Sequence, residues 1–386
     1  MICPWLTRAA WCTFLRGFEC TELGNMAKHL GVGIIGLGVG EAHLKAYLGC
    51  PHCHVVGICD FDQSKLEQVS QKYGRPKLVT TSADEIIGHP EIEVVSVASY
   101  DNYHFEHVDK ALAQHKHVFV EKPLCLFEEE AQRLWERLKQ NPDLRLSSNL
   151  ILRKSPRFQR LRRMIRSGFF GQLYYLEGDY NYGRIEKILQ GWRGKLDFYS
   201  PVYGGGIHMV DLLLWLASDE IVDVTAFANK VVTQHSNYRF PDLVCALCRF
   251  RGGAVAKICA NFGCVYPHFH KLSLYGTEAT FENSFEHGVV FTKRDAQIDL
   301  TRPSESGIFR IEEPHSPPDK GGLIREFVES VARGTPLEVG PADVFQTMAV
   351  CFAIQKAAMQ GGTARVSSFV GDATVLTDSE TSAKLA

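Results

Sequence analysis

The chain has 386 residues, with 42 Lys and Arg against 44 Asp and Glu, a formal net charge of -2, 45% hydrophobic residues and 22% charged ones. That is an ordinary globular composition, long enough for two domains with separate cores, and its near-neutral balance removes the electrostatic case for nucleic acid or a membrane surface. A bilayer span needs roughly 18 to 20 apolar residues, and the most apolar stretch, Met209 to Ala217, is broken by Asp211.

Residues 1–27 mix Arg, Glu and Cys without a structural period, so we expect a disordered or non-native extension, with translation starting at Met26. From Leu30 an apolar strand runs into glycines, and EAHLKAYLGC follows as a helix. A second strand, HVVGICD, ends at Asp60, and QSKLEQVSQKYG is an amphipathic helix closed by Gly74. A strand near Leu78, a helix near Ala83 to Ile87, the strand EVVSVAS, the helix HFEHVDKALAQH and the strand HVFVE come next. Strands alternating with helices predict a doubly wound parallel sheet over residues 28–150. After a charged helix at about Glu128 to Gln140 and the basic helix SPRFQRLRRMIRSG, the character changes. Long β-rich segments, with Gly252-Gly253 joining two of them, predict an α+β domain over residues 151–370 with a large, mostly antiparallel, open-faced sheet. The helices GLIREFVESVARG and DVFQTMAVCFAIQKAAMQGG should pack back on the body, and residues 371–386 form a polar, flexible tail. The twelve cysteines are scattered and read as free thiols of a reducing compartment, which predicts a cytoplasmic protein.

Three features carry chemistry. In Gly36-Leu37-Gly38-Val39-Gly40-Glu41, the dinucleotide fingerprint is met except at its last position, where Glu41 stands. Gly36, Gly38 and the backbone at Val39 would approach a pyrophosphate at the helix N-terminus. Asp60, 22 residues beyond Gly38, would accept both ribose hydroxyls and repel a 2'-phosphate, which favours NAD over NADP. Glu121-Lys122-Pro123 ends a parallel strand at the sheet edge where ligands bind, and the proline fixes the direction of Lys122. Three glycines, 204 to 206, precede a helix start that carries His208 and Asp211 at i and i+3, where His208 could accept the proton of a substrate alcohol.

GIIGLGVGEAH, the strand-end Asp60, VASYDNYHFEHVDKAL, KHVFVEKPL, SGFFGQL and GGGIHMVDLLLWL, in that order, resemble the Gfo/Idh/MocA oxidoreductases, the family of glucose-fructose oxidoreductase, inositol dehydrogenase and the rhizopine-catabolism enzymes. The resemblance runs from about Lys28 to Val366. It implies an N-terminal Rossmann domain that binds NAD(P), and a C-terminal domain whose open sheet serves as a homodimer or homotetramer interface. It implies catalytic roles for Lys122 and His208, a sugar, cyclitol or nucleotide-sugar substrate, and cofactor contacts from Ser99, His104, Glu121 and Lys122. The superfamily also contains sugar-responsive corepressors that bind dinucleotide without turnover, and these are the alternative.

One departure concerns the acid that many members carry four residues before the histidine, where this chain has Gly204. Asp211, Tyr203 or Tyr182 would have to stand in, or Lys122 would be the main base. Arg153, just past the domain junction, joins Tyr182, Tyr203, His208, Asp211 and Lys122 as a candidate substrate contact. On EGDYNYGR, alternation lets either Asp179 with Asn181 or Tyr180 with Tyr182 face the cleft. Arg157, Arg160, Arg162, Arg163 and Arg166 spread around their helix and are expected to be solvated. Cys50-Pro51-His52-Cys53-His54 spells a haem-attachment pattern and Cys245-Ala246-Leu247-Cys248 half a zinc site, but their placement argues against both, and no metal is expected.

Overall fold

The computed structural model describes residues 29–294, 306–316 and 319–369. The expectations for residues 1–27 and 371–386 lie outside them. Six parallel strands, β1 (Leu30–Ile35), β2 (Cys53–Cys59), β3 (Leu78–Thr80), β4 (Val94–Val97), β5 (His117–Val120) and β6 (Leu146–Ser148), form one sheet in the order β3-β2-β1-β4-β5-β6. Both faces of this sheet are covered by helices, which is why β1 and β4 are buried throughout rather than alternating, and apolar except for Ser96. The connections include α1 (Gly40–Leu48), α2 (Gln63–Lys72), α3 (Ala83–Gly88), α4 (His104–Ala113) and α5 (Glu128–Gln140). The strand order reverses between β1 and β4, so their carboxyl ends open the crevice in which such sheets bind ligands.

The helix α6 (Pro156–Arg166), with Pro156 at its first position and Ser155 as its cap, leads to the second sheet. Its strands are β7 (Leu173–Asn181), β8 (Ile221–Asn229), β9 (Leu243–Phe250), β10 (Val255–Asn261), β11 (Phe269–Gly276), β12 (Thr280–Asn283), β13 (Gly288–Phe291), β14 (Ile308–Ile311) and β15 (Thr363–Arg365). They lie in the order β14-β13-β12-β11-β7-β10-β9-β8-β15, antiparallel except where β7 meets β10. Between β7 and β8 come the short helix α7 (Glu186–Leu189) and α8 (Ile207–Ala217). Alternation along β9 turns Val244, Ala246, Cys248 and Phe250 inward, toward the face covered by α8 and the C-terminal helix. The opposite face is open, and there Phe227 is 78% and Leu247 55% exposed.

The helices α9 (Gly322–Arg333) and α10 (Pro341–Gln360) return across the junction. Phe327 of α9 meets Phe119 of β5 with ring centroids 5.6 Å apart, and Phe345 of α10 meets Trp135 of α5 at 4.9 Å. The expectation of a solvated basic helix fails for two of its five arginines. Arg157 is fully buried and donates to Glu313 O, Asn283 Oδ1, Ser284 O and Glu286 O, pinning α6 to the end of the sheet. Arg162 is also buried, donating to Leu216 O at the end of α8. No described helix is long and apolar enough to cross a membrane.

Candidate active site

At the carboxyl end of β1 the chain must turn sharply, and Gly36 does so with φ +87°. A Cβ there would stand 2.5 Å from Ala98 O and 2.6 Å from Ser99 N, so no side chain fits. Gly38 has nothing within 4 Å of where a Cβ would project, which leaves open space beside the N-terminus of α1, where Val39 provides no side-chain cap. Gly40 lets that helix lie against the sheet, with a Cβ position 3.2 Å from the Ala98 Cβ. The close-packing role of the fingerprint's last glycine thus falls one residue early. Glu41 points away and accepts from Lys72 Nζ at 2.7 Å and Tyr73 OH at 3.2 Å. Asp60 ties this turn to the end of β2: Oδ2 accepts from Leu37 N at 2.6 Å and Oδ1 from Asp62 N at 2.9 Å. Each carboxylate oxygen keeps a lone pair for a ribose hydroxyl. The shaped turn, the uncapped amides and the strand-end acid fit a dinucleotide.

Glu121 and Lys122 follow β5, and the Lys122–Pro123 peptide is cis. Glu121 Oε1 accepts from Asn149 Nδ2 at 2.6 Å and lies 3.0 Å from His43 Nε2, while His43 Nδ1 meets Ser96 Oγ at 3.0 Å. Burial alone would raise the Glu121 carboxyl, but His43, Lys122 and Asn149 together hold it at about 2, so it stays ionised beside Lys122. Across the cleft, residues Val202–Gly206 make a wide π-helical turn before α8. Lys122 Nζ donates to Gly204 O at 2.7 Å, which bridges the two domains. Burial, and then Arg193, push the Lys122 amine down, while Asp101 and Glu121 oppose that shift.

The three glycines are a packing requirement. A Cβ on Gly204 would collide with the Tyr199 hydroxyl, and one on Gly205 with the Tyr180 ring. The Tyr199 phenol therefore takes the space into which a side chain at position 204 would project. His208 opens α8 and faces a chamber floored by β7 and β11. Its ring centroid is 6.1 Å from Tyr180 and 5.9 Å from His270, and His270 is 4.9 Å from His268. Tyr182 stacks on Phe262 at 4.7 Å and on Tyr180 at 6.0 Å, so the pair that faces the chamber is Tyr180 of β7 with Tyr182 just past the strand's end. Asp179, on the other face, pairs with Lys257. Burial, Lys122, His270 and His268 push the His208 imidazole well below its ordinary value. Burial likewise lowers His268 to about 4 and His270 to about 3, so the cluster is neutral near pH 7. His208 Nδ1 and His268 Nε2 are enclosed with no hydrogen-bond partner among the described residues.

Several expected contacts are placed elsewhere. Asp211 does not partner His208. It is 1% exposed and accepts from Arg153 at 2.6 and 3.1 Å, and Arg153, 3% exposed, also donates to Glu338 O and Asp343. Burial pushes the Asp211 carboxyl up and the Arg153 guanidinium opposes it; the short contacts mark an ionic pair whose charges are spent on each other. Tyr203 packs away from the chamber, against Phe198 and Phe352. His104 is fully buried, with Nδ1 2.6 Å from Pro123 O and Nε2 3.0 Å from Ser99 O, so it clamps the loop after β4 to the cis-proline turn. Ser99 Oγ is engaged with His107 Nδ1 at 3.1 Å. The residues that sequence reasoning missed are His268, His270, Tyr199, Trp192 and Arg193. His-x-His at the start of a strand and Gly-Trp-Arg-Gly in a loop were the available signals. Trp192 stacks on Tyr100 at 4.3 Å, carrying the loop after β7 onto the cofactor side of the cleft. Among the described residues no group of three or more His, Cys, Asp or Glu is arranged to hold a metal ion.

Comparison with known proteins agrees with this layout. Residues 30–149 match the family model of the oxidoreductase family with an NAD-binding Rossmann fold, and residues 158–282 that of the GFO/IDH/MocA C-terminal domain. Myo-inositol 2-dehydrogenase of Thermotoga maritima is 25% identical over 349 residues, 88% of this chain and 99% of that protein. Two solved structures share the fold. Myo-inositol 2-dehydrogenase from Lactobacillus plantarum has a TM-score of 0.74 at 19% identity, covering 88% of this chain and 100% of that one. A levoglucosan dehydrogenase in complex with NADH and levoglucosan has a TM-score of 0.76 at 21% identity, with the same coverage.

Proposed function

The chain belongs to the Gfo/Idh/MocA oxidoreductases, and from that premise we propose that it is an NAD-dependent dehydrogenase acting on a secondary alcohol, or the corresponding ketone, of a sugar or cyclitol. The observation that carries this reading is the meeting of Lys122 from the first domain with the glycine turn that precedes His208 in the second, through the Lys122–Gly204 hydrogen bond. The relatives act in the same sense by name, as inositol 2-dehydrogenases and a levoglucosan dehydrogenase.

The nicotinamide, when bound, supplies the hydride acceptor. Gly36, Gly38 and the α1 amides would hold the pyrophosphate, and Asp60 the ribose. Lys122 keeps two N–H donors beyond the one given to Gly204 O, and its charge stabilises the alkoxide that develops as the C–H bond breaks. His208 is neutral at pH 7 and takes the hydroxyl proton, a role typically worth 10²- to 10⁴-fold. Tyr180, His268 and His270 fix the orientation of that imidazole and keep water from it. With Phe61 exposed after Asp60 and no Arg in the next three positions, the ribose site favours NAD over NADP. The exposed Phe227 and Leu247 support self-association through the open sheet face, as a homodimer or homotetramer.

A non-catalytic sensor is the second reading, and it draws on one observation: the Tyr199 phenol occupies the space beside Gly204 in place of an acid. Fluorescence titration with NADH and NADPH tests the cofactor assignment. Asp60→Ala should weaken NADH by about 10-fold or more, as loss of charge-assisted hydrogen bonds does, and narrow the gap to NADPH. Unaltered selectivity would place the ribose elsewhere.

A further inference from the structure

We infer that the substrate carries an anionic oxygen group, a carboxylate or a phosphate, seated by Arg193 and the rim residues Arg184 and Lys187 at the side of the Lys122–His208 chamber. This rests on the dehydrogenase reading for the identity of the reacting group, but the anion site can be measured by binding alone.

The segment between Tyr182 and Tyr199 holds four basic residues, Arg184, Lys187, Arg193 and Lys195, and two acidic ones, Glu186 and Asp197. Both acids are engaged outside the chamber. Gln190 Nε2 donates to Glu186 Oε2 at 3.2 Å, and Asp197 pairs with Arg239 at 3.4 Å. Arg184, Lys187 and Arg193, by contrast, have no ion pair or side-chain hydrogen bond among the described residues. Other arginines at the junction are saturated: Arg153 has two carboxylates and a carbonyl, and Arg157 has four acceptors.

The positions of the three cations are set by aromatic rings. The Arg193 guanidinium lies 4.5 Å over Trp192, whose ring stacks on Tyr100 at 4.3 Å. That holds a half-buried cation near Asp101 and the phenols of Tyr199, Tyr182 and Tyr180. The Arg184 guanidinium lies 5.4 Å over Tyr182, the outer ring of the chamber floor. Arg184 and Lys187 are exposed and both add positive potential at His268. The imidazoles contribute no charge near neutrality, so four cations, Lys122, Arg193, Arg184 and Lys187, are set against two acids, Asp101 and the Glu121 that His43 and Asn149 already engage.

A neutral polyol can satisfy guanidinium N–H groups only weakly, whereas a carboxylate or phosphate oxygen pair matches the guanidinium fork and offsets its desolvation. On α6, Arg157 and Arg162 are tied into the scaffold and Arg160 pairs with Glu313, so these three do not serve. The remaining competitor is the cofactor's own pyrophosphate, since Trp192 reaches the loop after β4.

The test is calorimetric titration of NADH-loaded protein with glucose, myo-inositol, glucuronate and a UDP-hexose, on wild type, Arg193→Met and Arg184→Ala. Glucuronate or the UDP-hexose should bind wild type at least about 10-fold more tightly than the neutral sugars, and Arg193→Met should erase about 10- to 100-fold of that, the range of a lost charge-assisted pair. The exposed Arg184→Ala, which poses no folding risk, should lose about 3- to 10-fold. A response to glucuronate identifies a carboxylate, and one confined to the UDP-hexose a diphosphate. The inference is overturned if neutral sugars bind as well as anionic ones, or if Arg193→Met weakens NADH while leaving anion binding unchanged. Anion binding that needs Arg193, without NADH formation when each of the four is offered with NAD+ in place of NADH, would leave the site standing and sink the dehydrogenase reading.

Discussion

Arg153→Met separates a scaffold role from a substrate role. In the structure Arg153 and Asp211 are 3% and 1% exposed, and three N–H···O contacts of 2.6 to 3.1 Å join them. Removing the guanidinium leaves the Asp211 carboxylate, among the side chains of the described residues, with Thr347 Oγ1 at 3.5 Å alone. Breaking one side of such a buried pair costs about 3 to 5 kcal/mol, a large part of a domain stability of about 5 to 15 kcal/mol. At about 2 to 4 °C per kcal/mol for a domain of this size, the melting midpoint should fall by about 6 to 20 °C. The double variant Arg153→Met/Asp211→Leu should recover most of that loss, because no uncompensated charge remains. Differential scanning calorimetry on the three proteins reads the cycle, and steady-state kinetics at 20 °C should show KM within about 3-fold of wild type, the spread expected when no ligand contact is lost. A midpoint unchanged within about 1 °C, together with a KM raised more than about 10-fold, would refute the reasoning and return Arg153 to the substrate.

The acid limb of kcat/KM for alcohol oxidation should lie below pH 6.5: the proton acceptor must be unprotonated, so rate rises with pH through its pKa, and burial with Lys122, His270 and His268 holds His208 below the ordinary 6.5. A limb at or above 6.5 in a pH–rate profile would remove His208 from that role. Because His268 and His107, each lowered to about 4 chiefly by burial, bind a proton more readily unfolded than folded, the melting midpoint should decline as pH drops from 6.5 toward 4; a flat profile would contradict their buried neutral state. Two glycine variants should part company. Gly38→Ala should leave the melting midpoint of the free protein unchanged while weakening NADH about 10-fold or more by crowding the pyrophosphate. Gly205→Ala, which drives a methyl group into the Tyr180 ring, should cost about 1 to 3 kcal/mol of stability and reduce turnover with NADH binding retained. Calorimetry and fluorescence titration distinguish the two, and equal behaviour would show that the glycine roles are misassigned.

The parallel sheet was legible because its signals are local: strand, glycine turn, helix and strand-end acid recur within single units, and Gly36, Asp60 and Lys122 stand at strand ends where the topology puts ligands. The second sheet was legible as β-rich and mostly antiparallel, but the parallel pairing of β7 with β10 joins residues 80 apart and leaves no local mark. Side-chain partners were the least legible. Asp211 sits one helical turn from His208, yet it turns to Arg153, because a buried carboxylate is driven to the nearest guanidinium rather than to an imidazole held neutral. The consequence of Gly204 depended on Tyr199, whose phenol fills the gap, and five residues of spacing say nothing about where a ring will point. His268 and His270 approach His208 only after β11 pairs with β7, which no periodicity forecasts.

The central claim is that Lys122 and His208 act on a carbon presented to a bound nicotinamide. NADH formation at 340 nm, followed over free, acidic and nucleotide-linked sugars and cyclitols, compares wild type with Lys122→Met at matched NADH affinity. The account expects turnover on at least one substrate and a fall in kcat of about 10²-fold or more in the variant, the usual loss for a general acid–base or electrostatic group, with the dissociation constant of NADH within about 3-fold. An unchanged kcat in Lys122→Met, or tight NADH binding with no turnover on any member of the panel, would contradict it.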